Sequence, residues 1–274
     1  MAAIRPRDLL SGDLLADIGR PGALAGDIIR LAEAGYLNVA LPPEFGGGGL
    51  GCTLRQAACG QRRLARHAPD TAFAVSAHLY WTGAAADAYR AGDDSMRWLL
   101  AEAARGALVA GGHAEPGGDL KFADPRCRCD PDGPGGYLFR DPGALSTMTP
   151  SWDWVAVHGV YVQDRSTGPR SVIAFAGRTA QRTPAFRVAR SAVAGTPDDV
   201  FTTSALTWGH SILASVEYAA ARGAFDAAIA ACAQAATPSA FAVPGAPAEA
   251  DAQPSAVVPG QQAEAPEAPE APAG

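Results

Sequence analysis

Up to Gly106 the apolar residues recur at helical spacing, and beyond it they gather into short runs of strand length. Leu24, Ile28 and Leu31 stand at i, i+4 and i+7, with Gly35 where a left-handed residue would end a helix, so one amphipathic helix is expected from Gly22. The stretch 37–45 is apolar but runs through Pro42-Pro43 into the glycines of 46–49 and Gly51, which together cannot hold a regular element. Thr53-Leu54-Arg55-Gln56 is a capping box: the threonine hydroxyl accepts from a free amide of the first turn while the glutamine reaches back. It predicts a helix to about His67. Pro69-Asp70 breaks that helix and caps another from Thr71 to about Arg90, with Phe73, Ala77, Tyr80 and Ala84 on one face. Gly92 ends it, and Asp93-Asp94 opens a shorter helix through Trp98, Leu99 and Ala103 to Gly106.

Strand-length segments follow at 108–110, 137–140, 154–162, 171–176, 186–190 and 200–203, separated by Gly, Pro, Asp and Ser. So many short strands in one stretch suggest a compact barrel or sandwich. Helical spacing returns near Leu206, with Ile212, Val216 and Ala219 on one face and Phe225, Ile229 and Cys232 on a continuing one, and no proline intervenes before Pro238. A single long helix is expected, with an apolar side left exposed that would drive association. From 237 to 274 the chain turns to Ala, Pro, Glu and Gln, with Glu-Ala-Pro repeated at 264–266, 267–269 and 270–272. Such a segment lacks the apolar area to offset its ordering entropy and is expected to be disordered.

Composition narrows the class. At 274 residues and 48% hydrophobic, the chain has ample material for a core. A net charge of -6 without a Lys/Arg block argues against a nucleic acid or an anionic membrane as partner. Cys52, Cys59, Cys127, Cys129 and Cys232 include no CxxC pair, and Cys127-Arg128-Cys129 is too tight for a zinc knuckle, so no metal site is expected. We read them as reduced thiols of a cytoplasmic protein. Residues 1–10 have no secretory apolar region, and no apolar run is long enough to span a bilayer.

Candidate chemistry concentrates in two stretches. Gly111-Gly112-His113-Ala114-Glu115-Pro116-Gly117-Gly118-Asp119 ends a short strand in a loop able to bring backbone amides against a ligand. Ser146-Thr147-Met148-Thr149-Pro150-Ser151-Trp152-Asp153-Trp154 places hydroxyls, then aromatics, before the next apolar strand. His113 and Glu115 read more simply as structural side chains of a turn than as acid–base groups. Glycines 46–49 lack a following Gly-Lys-Ser/Thr and do not form a phosphate-cradling loop.

Taken together, these motifs resemble the acyl-CoA dehydrogenase family. Leu31-Ala32-Glu33-Ala34-Gly35-Tyr36 and Leu41-Pro42-Pro43-Glu44-Phe45-Gly46-Gly47 resemble its L-x-x-x-G…P-E-x-(Y/F)-G-G-x-G segment. Ala114-Glu115-Pro116-Gly117-Gly118-Asp119 resembles its T-E-P-x-A-G-S-D loop, and Thr147 precedes Asp153-Trp154 as the threonine of its W-I-T-N-G segment precedes D-W. The resemblance covers 22–232 and implies an α+β chain: an N-terminal helical domain (1–107), a small β-barrel that holds flavin and substrate (108–203), the first helix of a C-terminal bundle (204–236), and a tail (237–274). It further implies FAD as cofactor, contacted by Ala114, Gly118, Thr147 and Thr149, an acyl-CoA or related thioester as substrate, and a homo- or hetero-oligomer. The chain departs from the pattern where the A-G-S-D core is shortened to Gly118-Asp119 and where the later helices of the bundle would follow. The resemblance therefore implies a truncated or divergent member: either an oxidoreductase acting on the CH–CH group of acyl-CoA, or a catalytically incomplete subunit that works with a full-length partner. No residue is singled out as catalytic.

Overall fold

Local capping sets most of the helix boundaries. The computed structural model describes residues 4–111, 127–132, 136–140, 151–161, 170–178, 185–189, 193–194 and 199–236. Residues 1–231 form one compact unit and 232–274 another. Two short helices, α1 (Pro6–Leu9) and α2 (Gly12–Asp17), precede α3 (Leu24–Glu33), which buries Ile28 and Leu31 and is followed by Gly35 at φ 75°. The apolar, proline-broken stretch after it holds only two 3-10 turns, Tyr36–Asn38 and Pro43–Phe45. In α4 (Leu54–His67) the capping box is made as expected: the Thr53 amide donates to Gln56 Oε1 at 2.9 Å and the Gln56 amide to Thr53 Oγ1 at 3.4 Å.

Helix α5 (Pro69–Arg90) is buried on nearly every side and carries the core of the helical layer. Two expectations fail at its start. Asp70 does not cap: Pro69 takes the first helical turn, where its missing N–H costs nothing, and Asp70 lies inside that turn. Phe73 does not share the buried face of Ala77, Tyr80 and Ala84, being 45% exposed. A polar network buried between elements fixes α4 on α5, with Gln61 accepting from the Tyr36 hydroxyl at 3.1 Å and donating to Ala72 O and Ser76 Oγ, each at 3.0 Å. The Asp93 carboxylate caps the turn Asp94–Met96 through the Ser95 amide at 2.8 Å, and α6 (Arg97–Ala104) continues from it.

Among the described residues the sheet has seven strands: β1 (Val109–Gly111), β2 (Arg128–Asp132), β3 (Gly136–Arg140), β4 (Trp154–Tyr161), β5 (Arg170–Gly177), β6 (Ala185–Ala189) and β7 (Val193–Ala194). Its order is β6-β3-β2-β4-β5-β7, with β1 also paired to β4. The expected barrel is instead a curled half-barrel. The ladder path ends at β6 and β7, and β6 curls back beside β5 without a ladder between them among the described residues. Strand β4 is buried on both faces, which is why it reads as a continuous apolar run and not an alternating one. Trp154 and Ala156, the latter opposite Phe175, face the helices; Gly159 lies under Phe139, whose Cε1 stands 2.6 Å from where a Cβ would be.

Residues 200–203 do not form the expected strand but open α7 (Val200–Ala236). Valine, phenylalanine and two threonines favour a strand locally. Two interactions override that preference: the Asp199 carboxylate accepts from the Thr202 amide at 2.7 Å, and Phe201, Ala205, Trp208 and Ile212 bury one helical stripe. Trp208 seats α7 on α5. Its ring occupies the space that a side chain at Gly83 would need, and its indole N–H donates to Asp87 Oδ2 at 2.7 Å. None of the described helices is long and apolar enough to cross a membrane.

Candidate functional site

One edge of β4 receives both chemistry-bearing stretches. Strand β1 runs parallel to its first half, pairing Val109 with Trp154 and Gly111 with Ala156. Strand β2 joins the same strand parallel at its far end, pairing Arg128 with Val160, with the Val160 amide donating to Cys127 O at 2.9 Å. The stretch that begins at Gly111 therefore leaves this seam opposite Ala156 and rejoins it opposite Val160, about 13 Å further along at the rise of an extended strand. The second stretch leaves β3 at Arg140, whose ladder partner Arg128 is the residue opposite Val160, and returns at Ser151 to the head of β4. Three of the four ends are thus on one seam, and the fourth, Arg140, lies one strand away on β3. Ala114, Gly118, Thr147 and Thr149 themselves lie outside the described residues, as do His113 and Glu115.

The head of the seam is held by Asp153. Its carboxylate accepts from the Leu108 amide at 3.0 Å, and the amides of Asp153 and Trp154 donate to Leu108 O at 2.9 and 3.0 Å. Arg178, at the end of β5, closes the knot by donating from Nε to Trp152 O at 2.7 Å and pairing with Asp153 Oδ1 at 3.4 Å. The point where the hydroxyl-bearing stretch re-enters the sheet is therefore tied to three strands. Asp153 was legible as part of a motif; Arg178 was not, because a lone arginine after an apolar strand looks like any solvated turn.

Behind β1 lies His78, deep in α5. Its Nδ1 accepts from the Val109 amide at 3.2 Å, and its Nε2 faces Leu37 O at 3.1 Å. These partners assign the proton to Nε2. Burial lowers its pKa to about 4, so the ring is neutral at physiological pH and serves as a fixed bridge between the helical layer and β1. His158 of β4 is buried too, and desolvation lowers its pKa to about 4. Neither ring is poised near neutrality as a general base.

The helix-facing side of the seam is an aromatic wall. Trp98 of α6 meets Trp154 edge-on at 5.0 Å, and Trp81 meets Phe175 at 5.3 Å and stacks with Phe201 at 5.9 Å. Trp152 is fully buried. At the opposite end, Cys129 has its thiol pushed up to about 12, by burial first and then by Cys127 and Asp130. It is held as a protonated thiol. None of the five cysteines is in a disulfide, and among the described residues no group of His, Cys, Asp or Glu is arranged to hold a metal.

No protein-family profile matches the sequence, and no curated protein does. Solved structures do match in fold. A nitrososynthase from Micromonospora carbonacea var. africana superposes with a TM-score of 0.60 at 19% identity, covering 85% of this chain and 66% of its own. KijD3 in complex with FMN and a dTDP-linked sugar gives 0.64 at 20% identity, covering 85% and 64%. FMN-bound TdsC from Paenibacillus sp. A11-2 gives 0.62 at 16% identity, covering 86% and 65%. This chain thus spans about two thirds of the length of each. At such identities the likeness is one of fold: the described chain shares the arrangement of helices and sheet of these structures.

Proposed function

We propose that the chain is a flavin-dependent oxidoreductase subunit of the acyl-CoA dehydrogenase type, with FAD as cofactor and the CH–CH group of an acyl-CoA thioester as the bond oxidised. The observation that carries this reading is the shared seam: two separate stretches, one glycine-rich and one hydroxyl-rich, have three of their four ends on one edge of β4 and the fourth one strand away on β3. A flavin needs such a pair, because its ring presents polar atoms along one edge and fixed donors there stabilise the charge of the reduced form. In this reading Ala114 and Gly118 let the backbone approach the ring, while the hydroxyls of Thr147 and Thr149 donate to it. The Asp153–Arg178 knot holds the second stretch in place, and the aromatic wall keeps water from that side. A bound flavin supplies hydride acceptance from the substrate carbon; the residue that removes the substrate's α-proton is left unassigned.

The helices of 1–107, the sheet that follows them, helix α7 from Val200 and the tail of 237–274 would then be the successive domains of that architecture. Five thiols outside any disulfide support a reducing compartment, the cytoplasm. The structural likeness to FMN-bound proteins supports a flavin in general, and the choice of FAD rests on the sequence motifs. The test is anaerobic addition of acyl-CoA thioesters of graded chain length to the flavin-loaded protein. Bleaching of the flavin band by one of them is the expected result; a loaded protein that no thioester reduces would remove the substrate assignment.

A second reading is favoured by the shortened loop, which keeps only Gly118-Asp119 of the A-G-S-D core. Here it is an incomplete subunit that contributes its seam to a site completed by a longer, flavin-binding partner. Turnover that arises only on mixing with such a relative would select it, and turnover by the isolated chain would exclude it.

A further inference from the structure

We propose that the groove between α1, α4 and α7 binds a diphosphate-bearing small molecule, at a second site that goes beyond the flavin reading and shares no residue with the sheet. The groove has a volume of about 560 Å³ and is lined by Arg7, Cys59, Arg62, Arg63, Arg66, His67, Tyr218 and Ala219. That volume lies within the range of small-molecule sites, roughly 300–1,000 Å³. No basic block in the sequence foretold it. Packing builds it: the close approach of Pro6 to Gly60, 3.3 Å from where a Cβ would stand, lays α1 on α4 and brings Arg7 to the three arginines of α4.

Charge makes this arrangement costly without a ligand. Arg62 and Arg66 stand at i, i+4 on one face, a spacing at which like charges oppose helix formation. The carboxylates facing the groove neutralise only part of it. Asp8 lies 3.6 Å from Arg7, and Asp226 lies 3.3 Å from Arg66 but also 2.8 Å from Arg222. Arg62 and Arg63 have no carboxylate at ion-pair distance among the described residues. Favourable interaction with a helix C-terminus accounts for Arg66 and His67 in the last turn of α4 and for Arg7 in that of α1, but not for Arg62 or Arg63. In a chain of net charge -6 this is a local concentration of guanidinium forks, which match phosphate oxygens bidentately. The Tyr218 ring, 62% exposed with Arg62 5.9 Å above it, adds a flat apolar surface of the kind on which a nucleobase stacks.

Calorimetric titration with pyrophosphate, orthophosphate and ADP tests the site on the whole chain. Pyrophosphate should bind more tightly than orthophosphate and lose affinity with added salt. R62A/R63A should weaken it roughly a hundredfold while the thermal melt is kept, and R62K/R63K, which keeps charge without the fork, by roughly tenfold. ADP binding more tightly than pyrophosphate, with the gain lost in Y218A, would identify a nucleotide; equal affinities would identify the diphosphate alone, and either supports the site. Pyrophosphate should also protect Cys59 from maleimide in a C232S background. The proposal is overturned if pyrophosphate does not bind, binds R62A/R63A equally well, or leaves Cys59 labelling unchanged. Because none of these readouts involves the sheet, they stand or fall independently of flavin uptake.

Discussion

His78 shows how a single neutral ring can hold two layers together. It joins Leu37, Val109 and its own helix, partners 41 and 31 residues away, so nothing local in the sequence distinguishes it from any histidine in an alanine-rich helix. Its proton affinity in the fold is lowered from 6.5 to about 4, so the unfolded chain takes up a proton where the folded chain does not. Stability should therefore fall as pH drops from about 6.5 towards 4, with this residue contributing about 3 kcal/mol at most, and His158 adding in the same direction. Urea midpoints followed through that window should show the loss, and H78Q should flatten part of the slope. His78→Ala should cost about 2–4 kcal/mol at neutral pH, since it strands the buried Val109 amide. Gly83 makes the complementary point. Its lack of a side chain admits the Trp208 ring, and Gly83→Ala should lower stability by about 1–3 kcal/mol through overpacking, read as a drop in Tm. Neither partner could be paired from sequence, because the contact joins helices over a hundred residues apart.

Elements were legible where a local rule set them and illegible where tertiary packing did. The capping box at Thr53, the left-handed Gly35 and the Asp93 cap announced three boundaries because each is closed within a few residues. Strand β2 was missed because Arg-Cys-Asp-Pro-Asp has little strand character; its conformation comes from full pairing with β3. Residues 200–203 misled for the opposite reason, strong local strand preference overruled by the Asp199 cap and the buried stripe behind it. The long helix itself was anticipated, and so was an open side: Phe225 and Ile229, at i and i+4, are 59 and 57% exposed. Such a stripe should drive association, so sedimentation at rising concentration should show self-association that F225D/I229D abolishes without lowering the melt.

At the scale of the molecule, the order helices, sheet, helix was readable from the change in periodicity at Gly106, and the mixed class with it. Closure was not readable, since whether a curled sheet meets its own edge depends on register and shear that no single strand reveals. The convergence of the two chemistry-bearing stretches was inferred from motif order; what the topology adds is that three of their four ends lie on one edge of β4 and the fourth on β3, one strand away. The identities of the contacting residues rest on the motif resemblance. The most direct measurement is a spectroscopic titration of the purified chain with FAD and FMN, repeated on T147A/T149A. We expect saturable uptake with a shifted flavin absorption band, FAD favoured, and affinity lowered at least roughly tenfold in the variant. A chain that takes up neither flavin, alone or with a longer relative present, would contradict the account.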